Sequence, residues 1–152
     1  MPASRAHPTL CTIGYATLTP DTLVAALRAR AIEVVADVRE AARSRRPGFS
    51  KSALAATLQA AGIEYRQFRD LGVPKPGRDA YHHTGDFTAF AAAYEARLDA
   101  NPEGVQALAD LVRERRTCLL CLEADPARCH RSLLAARLAT HRRFRVVHLD
   151  GN

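Results

Sequence analysis

The sequence predicts an open, mainly parallel five-stranded α/β sheet with helices on both faces, a Rossmann-like three-layer sandwich. Three observations carry that expectation. Apolar runs of strand length alternate with segments whose apolar residues recur at helical spacing. Most of the runs are apolar at every position, as strands covered on both faces are. The polar residues able to do chemistry follow directly after the runs, where an open parallel sheet forms its ligand edge.

The first run, residues 10–15 (LCTIGY), ends at Gly14 and Tyr15. Thr19-Pro20-Asp21 then supplies a capping hydroxyl, a proline for the first helical position and an acid for the first turn, ahead of Leu23, Ala26, Leu27 and Ala31. Residues 33–38 (EVVADV) read as a second buried strand, followed by a basic loop to Gly48. Ser50 is placed to cap a helix with Leu54, Leu58 and Ala61 on one stripe, and Gly62 to end it.

Residues 63–68 (IEYRQF) alternate like a third strand. The following LGVPKPGRDAYHHTG is rich enough in proline and glycine to be expected as a long loop. Asp86 can cap a helix with Phe87, Phe90, Tyr94 and Leu98 aligned, and Asn101-Pro102-Glu103 starts another with Val105, Leu108 and Val112. Residues 117–122 (TCLLCL) are the fourth strand. Asp125-Pro126 opens a helix with Leu134 and Leu138, and residues 145–149 (RVVHL) are the fifth strand. No internal repeat or low-complexity tract interrupts the pattern. The chain reads as one domain, 1–152, with an ordered core from about 10 to 149, long enough to bury about 70% of its unfolded surface.

The composition is Ala- and Leu-rich with no tryptophan, so the core is expected to be aliphatic. No run approaches the ~20 apolar residues of a membrane span and the start lacks a secretory signal, so a cytoplasmic location is expected and membrane association is not. Four cysteines in such a chain read as reduced thiols. The net charge of +6 rests almost wholly on arginine, whose donor fork suits phosphates and carboxylates; the excess can equally reflect base composition.

Applied strand by strand, the carboxyl-edge rule gathers Gly14 and Tyr15, Asp37 and Arg39, Arg69 and Asp70, and the segment Cys121–Arg131 on one side of the molecule. With Asp125 as cap and Pro126 as first helical residue, Cys129 and His130 fall at the end of the first turn. The helix dipole there eases ionisation of a thiol. Cys129 is then a candidate nucleophile or soft metal ligand, with His130 or Glu123 as acid or base. The plainer reading packs Cys129 with Leu133 under the sheet.

Cys118 and Cys121 spell C-x-x-C, but residues three apart in a strand face opposite sides, so they do not pair, and Cys11 and Cys118 read as core. A phosphatase-like or sulfurtransferase-like loop fits poorly, because Glu123 and Asp125 would repel a phosphate and Asp125 competes for the helix amides. A metal centre would use Cys121, Cys129 and His130 with His82, His83 or His148; the spacing matches no compact zinc pattern, so no metal is assigned. No cofactor is expected.

The basic segment 37–51 follows a strand on the expected site edge. Arg39, Arg43, Arg45 and Arg46 are candidate phosphate ligands, and Phe49 or Tyr65 could stack on a base. Alternatively Arg39 pairs with Asp37 or Glu123 and braces the loops. The basic group Arg137, His141, Arg142, Arg143 and Arg145 is explained by a helix end. Tyr81, His82 and His83 are either a lid or a polar crossing.

The segments Thr12-Ile-Gly14, Asp37-Val-Arg39, Ser44-Arg-Arg-Pro-Gly-Phe49, Gly62-Ile-Glu-Tyr65, Leu71-Gly72 and Leu120-Cys-Leu-Glu-Ala-Asp-Pro-Ala-Arg-Cys-His-Arg-Ser132 resemble, in order, the signature segments of the domain-of-unknown-function family 488. The resemblance runs from about Leu10 to about Leu149. It implies a compact α/β domain of bacteria and archaea and no particular activity. It carries over Asp37, Arg39, Arg46, Cys121, Glu123, Cys129, His130 and Arg131 as motif positions without roles. The family often has a histidine and a hydroxyl residue after the first-strand glycine, where this chain has Tyr15 and Ala16.

Three functions are therefore expected in order: an enzyme or binder acting on a phosphate-bearing ligand, a nucleotide or nucleic acid, at the carboxyl edge; a non-catalytic nucleic-acid-binding module; and a structural metal or thiol switch. For the first, Cys121, Glu123, Cys129, His130 and Asp37 are the candidate reacting groups, and Tyr15, Arg39, Arg43, Arg45, Arg46 and Arg131 the candidate ligand-binding groups. The sequence assigns no oligomeric state.

Overall fold

A computed structural model describes residues 8–141 and 143–150. Five parallel strands, β1 (Thr9–Gly14), β2 (Val34–Asp37), β3 (Glu64–Gln67), β4 (Thr117–Cys121) and β5 (Arg145–Leu149), form one open sheet in the order β3-β2-β4-β1-β5. The three interior strands β2, β4 and β1 are the continuously apolar runs, and they are buried throughout except Thr9. The edge strands β3 and β5 alternate or stay half-exposed.

Two layers cover the sheet. Helices α1 (Pro20–Ala29) and α2 (Lys51–Ala60) bury Leu23, Leu27, Leu54 and Leu58 on one face, against Ile13, Val35, Cys118 and Leu120. α4 (Phe87–Asp99), α5 (Pro102–Glu114) and α6 (His130–His141) bury Tyr94, Leu98, Leu108, Leu134 and Leu138 on the other, against Val34, Ala36, Leu119 and Cys121. The first two crossovers step one way along the sheet and the last two step back. A constant crossover hand therefore sends the two sets of helices to opposite faces. Among the described residues no helix is long and apolar enough to cross a membrane.

The segment expected as a long loop is instead a 3₁₀ turn (Arg69–Leu71) followed by α3 (Lys75–Thr84). Its prolines and first two glycines do not interrupt the helix, because Gly72 and Pro74 precede it and Pro76 and Gly77 lie in the first turn, where no intrahelical N–H bond is required. Gly85, at φ 67°, ends it. α3 buries no residue of its own and is held by Tyr81, which stacks on Phe90 of α4 at 4.6 Å between ring centroids.

The helix signals vary in mechanism. Thr19 and Thr22 form a reciprocal cap on α1, and Asp86 accepts from the Ala89 amide at 3.0 Å. Ser50, expected as a cap, instead exchanges hydrogen bonds with the Ser44 backbone and closes the basic loop. α1 is followed by Ala31 in a left-handed conformation (φ 52°), whereas α2 is followed by Gly62 at φ 78°. Left-handed backbone costs an alanine about 1–2 kcal/mol, partly offset by the entropy a glycine loses. Ala31→Gly is accordingly expected to raise the unfolding free energy by about 0.5 kcal/mol in urea titration; a loss of stability would show that the Ala31 methyl has a packing role.

Candidate functional site

β2 and β4 are neighbours whose connections leave in opposite directions, β2 toward β3 and β4 toward β5. The loops after them diverge and open the crevice in which open parallel sheets bind ligands. The sequence-selected residues are delivered there, but to opposite faces of the sheet, in two separate clusters.

The first cluster lies on the α1/α2 face. Asp37 is fully buried and forms a two-pronged ion pair with Arg39, Oδ1 accepting from Nε at 2.8 Å and Oδ2 from Nη2 at 2.7 Å. The Arg39 amide and the Tyr65 hydroxyl also donate to this carboxylate, at 3.1 and 2.5 Å. Arg39 Nη1 donates to the Tyr15 hydroxyl at 3.1 Å and to the Phe49 carbonyl at 2.6 Å. The Tyr15 and Phe49 rings stack at 4.5 Å. Arg39 thus ties the loop after β2 to its own strand and to the end of β1. Phe49 has no exposed face for a base, and Tyr65, although half-buried, has its hydroxyl committed to Asp37. Burial and the Asp37 carboxylate together push the Tyr65 hydroxyl above its ordinary range.

The second cluster, on the α4/α6 face, is made of Cys121 at the end of β4 and of Cys129, His130 and Arg131. Asp125 caps a single 3₁₀ turn (Pro126–Arg128), not the expected helix, and accepts from the Ala127 amide at 3.0 Å. Cys129 is then extended (φ −130°, ψ 147°) and α6 begins at His130. This break turns two adjacent side chains toward one point. Cys121 Sγ, Cys129 Sγ and a His130 ring nitrogen all lie within 4.8 Å of one another. His130 Nδ1 is 3.6 Å from Cys129 Sγ, and Nε2 is 2.7 Å from the Val38 carbonyl. A carbonyl can only accept, so Nε2 carries a proton and Nδ1 faces the sulfur. Tyr94 packs edge-on to the imidazole at 5.2 Å and donates its hydroxyl to the Leu71 carbonyl at 2.6 Å.

Arg131 is completely buried, yet among the described residues none of its hydrogen-bond acceptors is a carboxylate. Nε donates to Thr12 Oγ1 at 3.2 Å, Nη2 to the Ala124 carbonyl at 3.1 Å, and Nη1 both to the Glu123 carbonyl and to Cys121 Sγ at 3.6 Å. A buried guanidinium requires a compensating negative charge nearby. Burial pushes the Cys129 thiol up, but the contacts with Cys121 and His130 and the positive Arg131 outweigh it, so Cys129 sits well below the ordinary thiol range. The hydrogen bond to Cys129, together with burial, holds Cys121 well above it. A thiolate in this pair, beside Arg131, would supply that charge.

Gly14 makes this possible. A Cβ there would lie 1.8 Å from the Glu123 carbonyl oxygen, so only glycine lets that backbone close over β1 and turn its carbonyls onto Arg131. Glu123 itself is exposed, and its carboxylate accepts from the Asp125 amide at 3.0 Å instead of meeting the thiols.

The remaining cations sort themselves. Arg46 reaches inward to the Leu18 carbonyl and lies over the Phe49 ring. Arg43 and Arg45 are exposed, with no hydrogen bond or ion pair among the described residues. Arg137 pairs with Glu95 and with Asp99, and Arg142 lies outside the described residues. The additional metal ligands named from sequence are elsewhere: His82 and His83 are exposed on α3, and His148 Nδ1 bonds Thr12 Oγ1 at 2.6 Å. Cys11 and Cys118 are core, as expected, and the four cysteines are unbridged. A groove of about 470 Å³ between α3 and α4, lined by Pro74, Tyr81, Phe90 and Arg97, is separated from His130 by the Tyr94 ring. Tyr94, Thr12 and the Val38 carbonyl are the members that sequence reading missed. Only a hydroxyl inside a buried strand, Thr12, carried any signal.

Fold and site together define an open parallel α/β domain with a buried thiol–imidazole cluster at its carboxyl edge. The family model for a domain of unknown function, DUF488, matches residues 19–138, and the chain belongs to that family. No curated protein and no solved structure matches it.

Proposed function

We propose that the domain is an enzyme whose reacting centre is the Cys121–Cys129–His130 cluster, acting on a phosphate-bearing substrate at the carboxyl edge of the sheet. The carrying observation is Arg131, a fully buried cation that, among the described residues, hydrogen-bonds no carboxylate and donates instead to backbone carbonyls, Thr12 and the sulfur of Cys121. Its charge favours a thiolate in the cluster. Asp37, Arg39 and Tyr15 then serve as the brace that holds the loop after β2 rigid, and Arg43 and Arg45 are the cations this loop presents to a substrate phosphate.

Relative thiol reactivity tests the centre. Cys129 and Cys11 are equally buried, at 3% and 2% exposure, so access does not favour either; burial raises the Cys11 thiol. Iodoacetamide treatment of the native chain, mapped by mass spectrometry, is expected to modify Cys129 at least about tenfold faster than Cys11. Equal rates would remove the thiolate centre.

For the substrate, a fluorescent single-stranded oligonucleotide is the probe. Binding is expected at low salt, weakening steeply as salt rises and lost in the Arg43→Gln/Arg45→Gln double variant. Binding that survives this double variant would move the phosphate site elsewhere. Binding without a reactive Cys129 would favour the non-catalytic nucleic-acid module.

A further inference from the structure

We infer that Cys121 Sγ, Cys129 Sγ and His130 Nδ1 are the ligands of one soft divalent metal ion of the zinc class, with the fourth coordination position open. This rests on the reading of that cluster as the working centre and names what it holds.

Geometry comes first. A tetrahedral zinc with Zn–S near 2.3 Å and Zn–N near 2.0–2.1 Å sets sulfur and nitrogen about 3.6 Å apart. His130 Nδ1 and Cys129 Sγ stand at 3.6 Å, and all three donor atoms lie within 4.8 Å of one another. Adjacent residues are ordinarily poor partners on one ion, but the extended Cys129 followed directly by helix aims both side chains inward.

The outer contacts are also those of a metal site. His130 donates Nε2–H to the Val38 carbonyl, which fixes the ring with the Nδ1 lone pair turned to the sulfurs. Arg131 Nη1 approaches Cys121 Sγ at 3.6 Å, a donor that steadies a ligating thiolate. Tyr94, Leu134 and Val38 make the surroundings apolar, so water competes weakly with the ligands. Two sulfurs with one imidazole select zinc, or cobalt as its stand-in, over magnesium or calcium, which require oxygen donors. The group contains three donors among the described residues, so a water or a substrate atom takes the remaining position, as in catalytic sites.

The test is Co²⁺ titration of the full chain after stripping with a chelator. One equivalent is expected to produce the visible bands of tetrahedral cobalt and a thiolate-to-cobalt charge-transfer band, both abolished by Zn²⁺. Cys129→Ser and His130→Ala should each weaken Co²⁺ binding by at least about 100-fold, whereas Cys11→Ser/Cys118→Ser should not. Should the site variants fail to fold, wild-type chain answers: Zn²⁺ should protect Cys121 and Cys129 from iodoacetamide and leave Cys11 unchanged.

Absence of a one-equivalent charge-transfer band, or absence of Zn²⁺ protection, overturns the metal. If Cys129 of the metal-free chain still reacts tenfold faster than Cys11, the thiolate centre stands and only the metal falls. If it does not, both fall.

Discussion

Arg39→Met is expected to lower the unfolding free energy by about 3–5 kcal/mol. The substitution leaves the Asp37 carboxylate fully buried, with only an amide and the Tyr65 hydroxyl as donors, and removes the donor from the Tyr15 hydroxyl and the Phe49 carbonyl. Removing one partner of a buried pair costs more than the pair is worth, because the stranded charge has no water to solvate it. The double variant Asp37→Leu/Arg39→Met should therefore recover much of the loss, since both charges go together. Guanidinium titration of the three chains checks this as a double-mutant cycle. A single-variant loss below about 1 kcal/mol would mean that Arg39 is available for a ligand, restoring the phosphate role read from sequence.

Gly14→Ala is expected to cost about 3 kcal/mol and to disturb the thiol cluster at the same time. The new methyl would sit 1.8 Å from the Glu123 carbonyl and 2.9 Å from Ala124 Cα, both backbone atoms that no side-chain rotation can move aside. Relief requires the 121–125 loop to lift, which withdraws the Glu123 and Ala124 carbonyls from Arg131. Gly62→Ala is the control: nothing lies within 4 Å of its Cβ, and the left-handed backbone, partly offset by the entropy a glycine loses, should cost only about 0.5 kcal/mol. Urea denaturation gives the two losses, and iodoacetamide mapping gives the second effect. Cys129 should lose its advantage over Cys11 in Gly14→Ala and keep it in Gly62→Ala. Unchanged reactivity in Gly14→Ala would detach the Glu123 backbone from the function of Arg131.

The strands were legible because burial on both faces leaves a signature at every position. β2 and β4 appear in sequence as unbroken apolar runs, and β5 was read at its observed bounds. α3 was not legible, since proline and glycine in a first turn look in composition like proline and glycine in a loop. Tertiary contacts such as Tyr81 against Phe87 and Phe90 of α4 distinguish the cases. The site divides in the same way. The carboxyl-edge rule placed Asp37, Arg39, Cys121, Cys129 and His130 on one edge, but it does not say which face of the sheet each occupies.

By itself the sequence determined the class of fold, the strands, most helices and the edge on which the polar residues gather. These follow from local periodicity and from the common direction of parallel strands. Tertiary structure alone decided the strand order, the separation of the Asp37–Arg39 brace from the thiols, and the convergence of Cys121 with Cys129 and His130. Those outcomes depend on which strand lies beside which and on one extended residue ahead of a helix. A side chain's partners across the chain are set by packing, and no local pattern encodes them.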